Sequence, residues 1–114
     1  MRFVVTHDDE AFTYEVESIP INNGFSFNDP IDKGTFYVYH KNDEVLVRRE
    51  GETSMQETYN INHKTAGYYK HEGLLFKTIV ETTLLIKDEE KILIEYIQTI
   101  GHQISNKTMI FWLK

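Results

Sequence analysis

The sequence predicts an all-β protein, a single antiparallel up-and-down barrel of about eight to ten strands. Apolar residues alternate repeatedly with polar ones, as they do on the two faces of a strand, and no long window shows the spacing of a helix. Turn-forming residues interrupt these runs at intervals of roughly ten residues, which is typical of antiparallel hairpins. A long open sheet would leave its edge strands unpaired, so closure into a barrel is the simplest arrangement.

The alternating runs predict the strands in order along the chain. Runs in the first half of the sequence are short, and those in the second half are longer. The longest extends over residues 74–86, and its predicted inner face carries Leu74, Phe76, Thr78, Val80, Thr82, Leu84 and Ile86. The other runs centre on Phe12, Tyr14 and Val16, on Phe25 and Phe27, on Phe36 and Val38, on Val45 and Val47, on Ile92, Ile94 and Tyr96, and on Met109, Phe111 and Leu113.

Turn chemistry separates the runs and leaves one irregular region. Pro20 and Pro30 bracket this region, and because proline lacks the backbone N–H group we expect an edge strand or a loop there. No linker or low-complexity tract divides the chain, so residues 1–114 are predicted to form one β-barrel domain. The turn segments are residues 7–10, 22–24, 41–43, 71–73, 87–90 and 101–103.

Composition indicates a globular chain with its own core. The 114 residues are 40% hydrophobic and 13% aromatic, and the net charge is −6. This negative charge disfavours nucleic acid as a partner, because phosphate backbones would be repelled. Cysteine is absent, and residues 1–10 do not have the pattern of a signal peptide. No apolar run approaches the roughly 18 residues that span a bilayer, so we expect a cytoplasmic protein without a membrane partner.

Residues 45–55, VLVRREGETSM, carry the most distinctive pattern. An apolar triplet is followed by Arg49, Gly51 and Met55. This spacing resembles the YwiB-like proteins of Gram-positive bacteria, and the resemblance covers the chain from this segment onward far better than the residues before it. It implies a calycin (lipocalin-like) barrel and supplies no catalytic residues. Further matching positions are Tyr59, Tyr69, Gly73, Leu75, Thr78, Ile92, Ile94, Tyr96 and Asn106.

Arg49 is the strongest candidate for a binding residue. Counting by twos places it on the same face as Val45 and Val47, whereas Arg48 lies on the opposite, solvated face. A buried guanidinium requires a partner. Two interpretations stay open: Arg49 holds the anionic group of a ligand, or it forms a structural pair with turn carbonyls or an inward carboxylate, for which Glu57 is one candidate.

Three tyrosines on or beside apolar faces are the other candidates. Tyr59, Tyr69 and Tyr96 could line a ligand pocket together with Arg49, or they could fill the core with their hydroxyls hydrogen-bonded internally. Serines lack the context of a nucleophile, and no phosphate-binding glycine loop is present. The five histidines lack metal-ligand spacing. We therefore expect no enzyme activity, metal or cofactor.

The resulting hypothesis is a non-enzymatic binding protein. Its ligand would be small, partly apolar and anionic, held in the barrel by Arg49, Tyr59, Tyr69 and Tyr96. The alternative is a filled barrel that acts as an interaction module through its outer face, as a homodimer. Trp112, which alternates away from Met109, Phe111 and Leu113 and stands beside Ile110, is the candidate for that surface.

Overall fold

A computed structural model describes all 114 residues and contains eleven β-strands. No helix capable of crossing a membrane is present. In chain order the strands are β1 Arg2–His7, β2 Glu10–Glu15, β3 Ile19–Ile21, β4 Gly24–Asn28, β5 Gly34–Lys41, β6 Glu44–Gly51, β7 Thr53–Asn60, β8 Thr65–His71, β9 Leu74–Lys87, β10 Lys91–Ile100 and β11 Gln103–Trp112.

All strands belong to one antiparallel sheet, which confirms the predicted all-β class. Strands β3 to β11 follow one another as a meander, and each pairs with the next. The hairpin of β1 and β2 then adds to the far side, because β1 pairs with β11. The two edges of the sheet are therefore β2 and β3.

The sheet curls into a half-barrel, so the prediction of a closed barrel with about eight to ten strands was wrong in both respects. Strands β2 and β3 do not pair, although only residues 16–18 connect them. Strand β3 has three residues, and the middle one, Pro20, has no backbone N–H group to donate. Such a strand cannot close a ladder, which agrees with the edge position expected for Pro20.

An aromatic cluster joins the two walls of the half-barrel. Phe3 on β1 lies 5.2 Å from Phe27 on β4 and 5.8 Å from Phe36 on β5, measured between ring centroids. Phe3 also stacks on Phe111 of the neighbouring strand at 5.1 Å. Strands at opposite sides of the sheet thus share one core, and aromatic pairs at these distances add to the energy of burial.

Strand β9 departs from the alternation that the sequence predicts. Thr78, Val80 and Thr82 are buried, as expected. The pairing with β10 then shifts: Tyr96 faces Thr82 but Glu95 faces Leu84, so Thr83 is an extra residue in a β-bulge. Beyond this bulge Leu85 packs on the core and Ile86 is exposed. The predicted inner face is therefore wrong after Thr82, and at the start of the strand, where Leu74 and Phe76 are exposed.

One end of the half-barrel, here called the mouth, contains the candidate site. Antiparallel alternation brings five connections to this end. The longest is the loop of residues 29–33 between β4 and β5, here called the mouth loop. The other four connections are residues 8–9, 52, 72–73 and 101–102.

Candidate functional site

A pocket of about 480 Å³ opens at the mouth. Strand β2 contributes one wall with Phe12 and Tyr14, and the mouth loop contributes another with Ile31. Most lining residues are hydrophobic, including Val5 and Met109. A volume in this range suits a small organic molecule, since such sites usually enclose about 300–1,000 Å³.

Three of the four residues that the sequence predicts for ligand binding line this pocket. They are Arg49, Tyr69 and Tyr96, from β6, β8 and β10. Tyr59 lies behind them, fully buried, with its ring 4.7 Å from the ring of Tyr96. The structure therefore brings the predicted residues together, with Tyr59 as support for the lining.

Arg49 points inward, as the alternation with Val45 and Val47 predicts, and is 8% exposed. Its Nε donates a hydrogen bond to Asp29 Oδ2 at 2.8 Å. Its two Nη atoms donate to main-chain carbonyls, one to Lys33 at 3.2 Å and one to Thr53. The carboxylate partner is thus Asp29, and the pairing with Glu57 considered from the sequence is absent.

The bonds of Arg49 hold the mouth loop. Asp29 begins this loop and also accepts a hydrogen bond from the Ile31 backbone N–H at 2.8 Å. Glycine is needed beside the guanidinium: a Cβ atom on Gly34 would lie 2.9 Å from Nη2, and one on Gly51 would lie 3.0 Å from Nη1. Because Asp29 neutralises it, the charge of Arg49 is already matched within the protein.

A buried hydrogen-bond network lies behind the pocket and centres on Glu57, which is fully buried. The Tyr59 hydroxyl donates to Glu57 Oε1 at 2.9 Å. Gln98 Nε2 donates to Glu57 Oε2 at 2.8 Å and to the Tyr69 hydroxyl oxygen at 3.3 Å. Gly67 leaves the space for this network, since a Cβ atom there would lie 3.0 Å from Glu57 Cγ.

The environment keeps the three tyrosines neutral. Burial, reinforced by the negative charge of Glu57, raises the pKa of Tyr59 and of Tyr96 well above the ordinary value. The same two causes raise the pKa of Tyr69 to about 12. Each phenol therefore carries its proton at neutral pH and can act as a hydrogen-bond donor.

Lys107 is the residue of the site that the sequence reasoning missed. It lies on β11 opposite His7 of β1, is half-buried and lines the pocket. Burial lowers its pKa, and the charges of Glu57 and Asp8 offset only part of this effect. The sequence does indicate that Lys107 points inward. Lys107 stands an even number of positions before Met109 and Phe111, so all three side chains lie on the same face of the strand.

No protein group neutralises Lys107 by direct contact. The four ion pairs of the chain are His7–Asp8, Arg48–Glu50, Arg49–Asp29 and His71–Glu72. No group of three or more histidine, aspartate or glutamate side chains converges as a metal site would require. Chemically, the pocket offers an apolar interior, an unpaired cation and phenol donors.

Comparison with known proteins provides a fold relation. No protein-family model matches the chain, and no curated protein matches it significantly. In structure it is similar to the crystal structure of ywiB protein from Bacillus subtilis, with a TM-score of 0.62 and 20% sequence identity. The similarity covers 97% of this chain and 86% of that chain. Such a likeness shows a shared fold. It supports the expected relation to the YwiB-like proteins as a similarity of fold.

Proposed function

We propose that this protein binds a small, partly apolar, anionic molecule in the pocket at the mouth. One observation carries the proposal: an apolar pocket of about 480 Å³ contains Lys107, a half-buried cation without an ion-pair partner. A buried charge is costly unless it is paired, so a ligand anion would stabilise Lys107. We further propose that the protein is a non-enzymatic member of the YwiB-like group with a calycin-related fold.

The geometry changes the role of Arg49 within this proposal. The sequence suggested Arg49 as the anchor for the anion, but its guanidinium is occupied by Asp29 and two carbonyls. Arg49 instead stabilises the mouth loop, which forms one wall of the pocket. Lys107 takes the place of the anchor, and Tyr69 and Tyr96 remain as lining residues.

Titration with the apolar anionic dye 1-anilinonaphthalene-8-sulfonate tests the proposal. We expect saturable binding with enhanced fluorescence by the folded wild type. Phe12→Glu should weaken binding at least several-fold, because Phe12 lines the pocket and the new carboxylate repels the dye. Ile61→Glu is the matched control: Ile61 is 46% exposed and Phe12 47%, both substitutions add one negative charge, and Ile61 lies outside the pocket.

The control also defines the result that would contradict the proposal. Equal dye binding by Phe12→Glu and Ile61→Glu, with unchanged circular dichroism in both variants, would show that the dye binds elsewhere. Absence of saturable binding by the wild type would contradict the proposal directly.

A homodimer formed through the outer face is the second candidate, and an apolar row on that face favours it. Ile79 on β9 and Ile104 on β11 both pair with Thr99 of β10, so the two isoleucines lie on the same face. Both side chains are exposed, Ile104 by 69% and Ile79 by 52%. Trp112 is a weaker candidate, because its ring lies 5.8 Å from the Arg2 guanidinium and 5.1 Å from the Lys91 ammonium.

Sedimentation analysis at increasing concentration tests this second candidate. If the outer row forms the interface, the wild type should be dimeric, Ile104→Lys should be monomeric and Trp112→Lys should stay dimeric. A wild type that stays monomeric at high concentration would exclude it.

A further inference from the structure

We propose that Tyr69 and Lys107 form the head-group subsite of the pocket and select a monocarboxylate. The Tyr69 hydroxyl and the Lys107 ammonium would both donate to the carboxylate, while the alkyl part of the ligand lies against the hydrophobic lining. This inference rests on the proposed function, since it names the ligand chemistry and the residues that recognise it.

The buried network fixes the direction of the hydrogen bond that Tyr69 can make. The carboxylate of Glu57 only accepts hydrogen bonds, so Gln98 must turn its NH₂ group toward Glu57. The same NH₂ group donates to the Tyr69 hydroxyl oxygen. Because that oxygen accepts from Gln98, the Tyr69 proton is left to donate elsewhere. Tyr69 lines the pocket, so an acceptor on a ligand is a natural partner.

Lys107 supplies the second donor and the charge. An ammonium has three N–H donors and no acceptor, and Lys107 makes no ion pair within the protein. Its burial disfavours the charged form, so an anion in the pocket would relieve that cost. Glu57 does not compete for the ligand position, because it lies outside the lining with donors on both oxygens.

The number of free cations determines which anion fits. Arg49 is matched by Asp29, so Lys107 is the cation of the lining that has no ion-pair partner. One positive charge balances a carboxylate, whereas a phosphate monoester carries a charge of about −1.5 to −2 at pH 7. The donor pair also disfavours a ligand amine, which has no acceptor when protonated.

Calorimetric titration with ligands that share one tail and differ in head group tests this subsite. Decanoate should bind wild type more tightly than decanol and decyl phosphate, and decylamine should bind weakest. Lys107→Met and Tyr69→Phe should each weaken decanoate binding by roughly tenfold, as expected for hydrogen bonds to a charged group. Lys107→Met should change decanol binding by less than about twofold, since decanol has no charge to pair.

A double-mutant cycle tests the role of the network behind Tyr69. In Gln98→Met the Tyr69 proton can turn to Glu57, so the variant should lose decanoate affinity like Tyr69→Phe. The double variant should then be no weaker than either single variant, because both changes remove the same hydrogen bond. Gln98 is buried, so circular dichroism must first show folding; otherwise the head-group series with Lys107→Met and Tyr69→Phe decides alone.

Several results would overturn the subsite and leave the proposed function intact. These are dye binding in the pocket without decanoate binding, decanoate binding unchanged in both Lys107→Met and Tyr69→Phe, or equal affinity for decanoate and decylamine. Additive losses in the double-mutant cycle would overturn the role of Gln98. If neither the dye nor decanoate binds the wild type, the proposed function and the subsite both fail.

Discussion

At the scale of single residues, the neighbours Arg48 and Arg49 have different surroundings. Arg49→Ala should lower the free energy of unfolding by about 3 kcal/mol, because it leaves Asp29, with 9% of its side chain exposed, without its cation. Arg48 lies on the outer face, 4.9 Å from the ring centroid of Tyr37. Arg48→Ala should therefore cost no more than about 1 kcal/mol, as for an exposed cation–π contact. Urea denaturation measures both values.

The partner of Arg49 can be tested in the same experiment. Asp29→Ala combined with Arg49→Ala should be less destabilising than the sum of the single changes, since the two groups form one pair. Glu57→Gln combined with Arg49→Ala should instead be additive. Equal, small losses at Arg48 and Arg49 would contradict the inward position of Arg49.

The buried tyrosines predict sensitivity to alkaline pH. An unfolded tyrosine has a pKa near 10, whereas the pKa of Tyr69 in the folded protein is raised to about 12. Between these values the unfolded chain binds fewer protons than the folded one, so stability falls as pH rises. Denaturant melts from pH 9 to 12 should show this decline, and Tyr69→Phe should make it shallower. A free energy of unfolding that is constant over this range would contradict the burial of the phenols.

At the scale of strands, protection should vary within β9. Its central residues around Val80 pair with β8 and β10, whereas Leu74 to Phe76 pair with β8 alone and are exposed. Hydrogen exchange followed by NMR should therefore find the slowest amides in β10 between Ile92 and Gln98, which is paired on both sides. Fast exchange should mark the beginning of β9. Uniform protection along the whole of β9 would contradict this description.

Sequence patterns predicted what is local to one strand. The period-two rule identified seven of the eleven strands, namely β2, β4, β5, β6, β9, β10 and β11. It also placed Arg49 inward with Val45 and Val47, because side-chain direction in a strand depends only on neighbouring residues. It missed Asp29, which reaches Arg49 from an irregular loop earlier in the chain. It also missed the bulge at Thr83, since an extra residue is visible only in the pairing with β10.

At the scale of the whole molecule, closure of the sheet was the property that sequence could not determine. An even rhythm of strands and turns is equally compatible with a closed barrel and a half-barrel. The outcome depends on whether β2 and β3 pair, and the short, proline-containing β3 does not. The pocket follows from this opening, because its walls include β2 and the mouth loop, on the two sides of the unpaired gap.

The proposed function places a partly apolar anion in this opening at the mouth. Two-dimensional NMR of ¹⁵N-labelled protein titrated with decanoate tests it most directly, because each amide reports its own surroundings. An anion held at the mouth should produce saturable shifts at Tyr69, Tyr96, Lys107 and Met109, with none at Ile61 at the opposite end. Shifts confined to the outer face around Ile79 and Ile104, or no shifts at all, would contradict it.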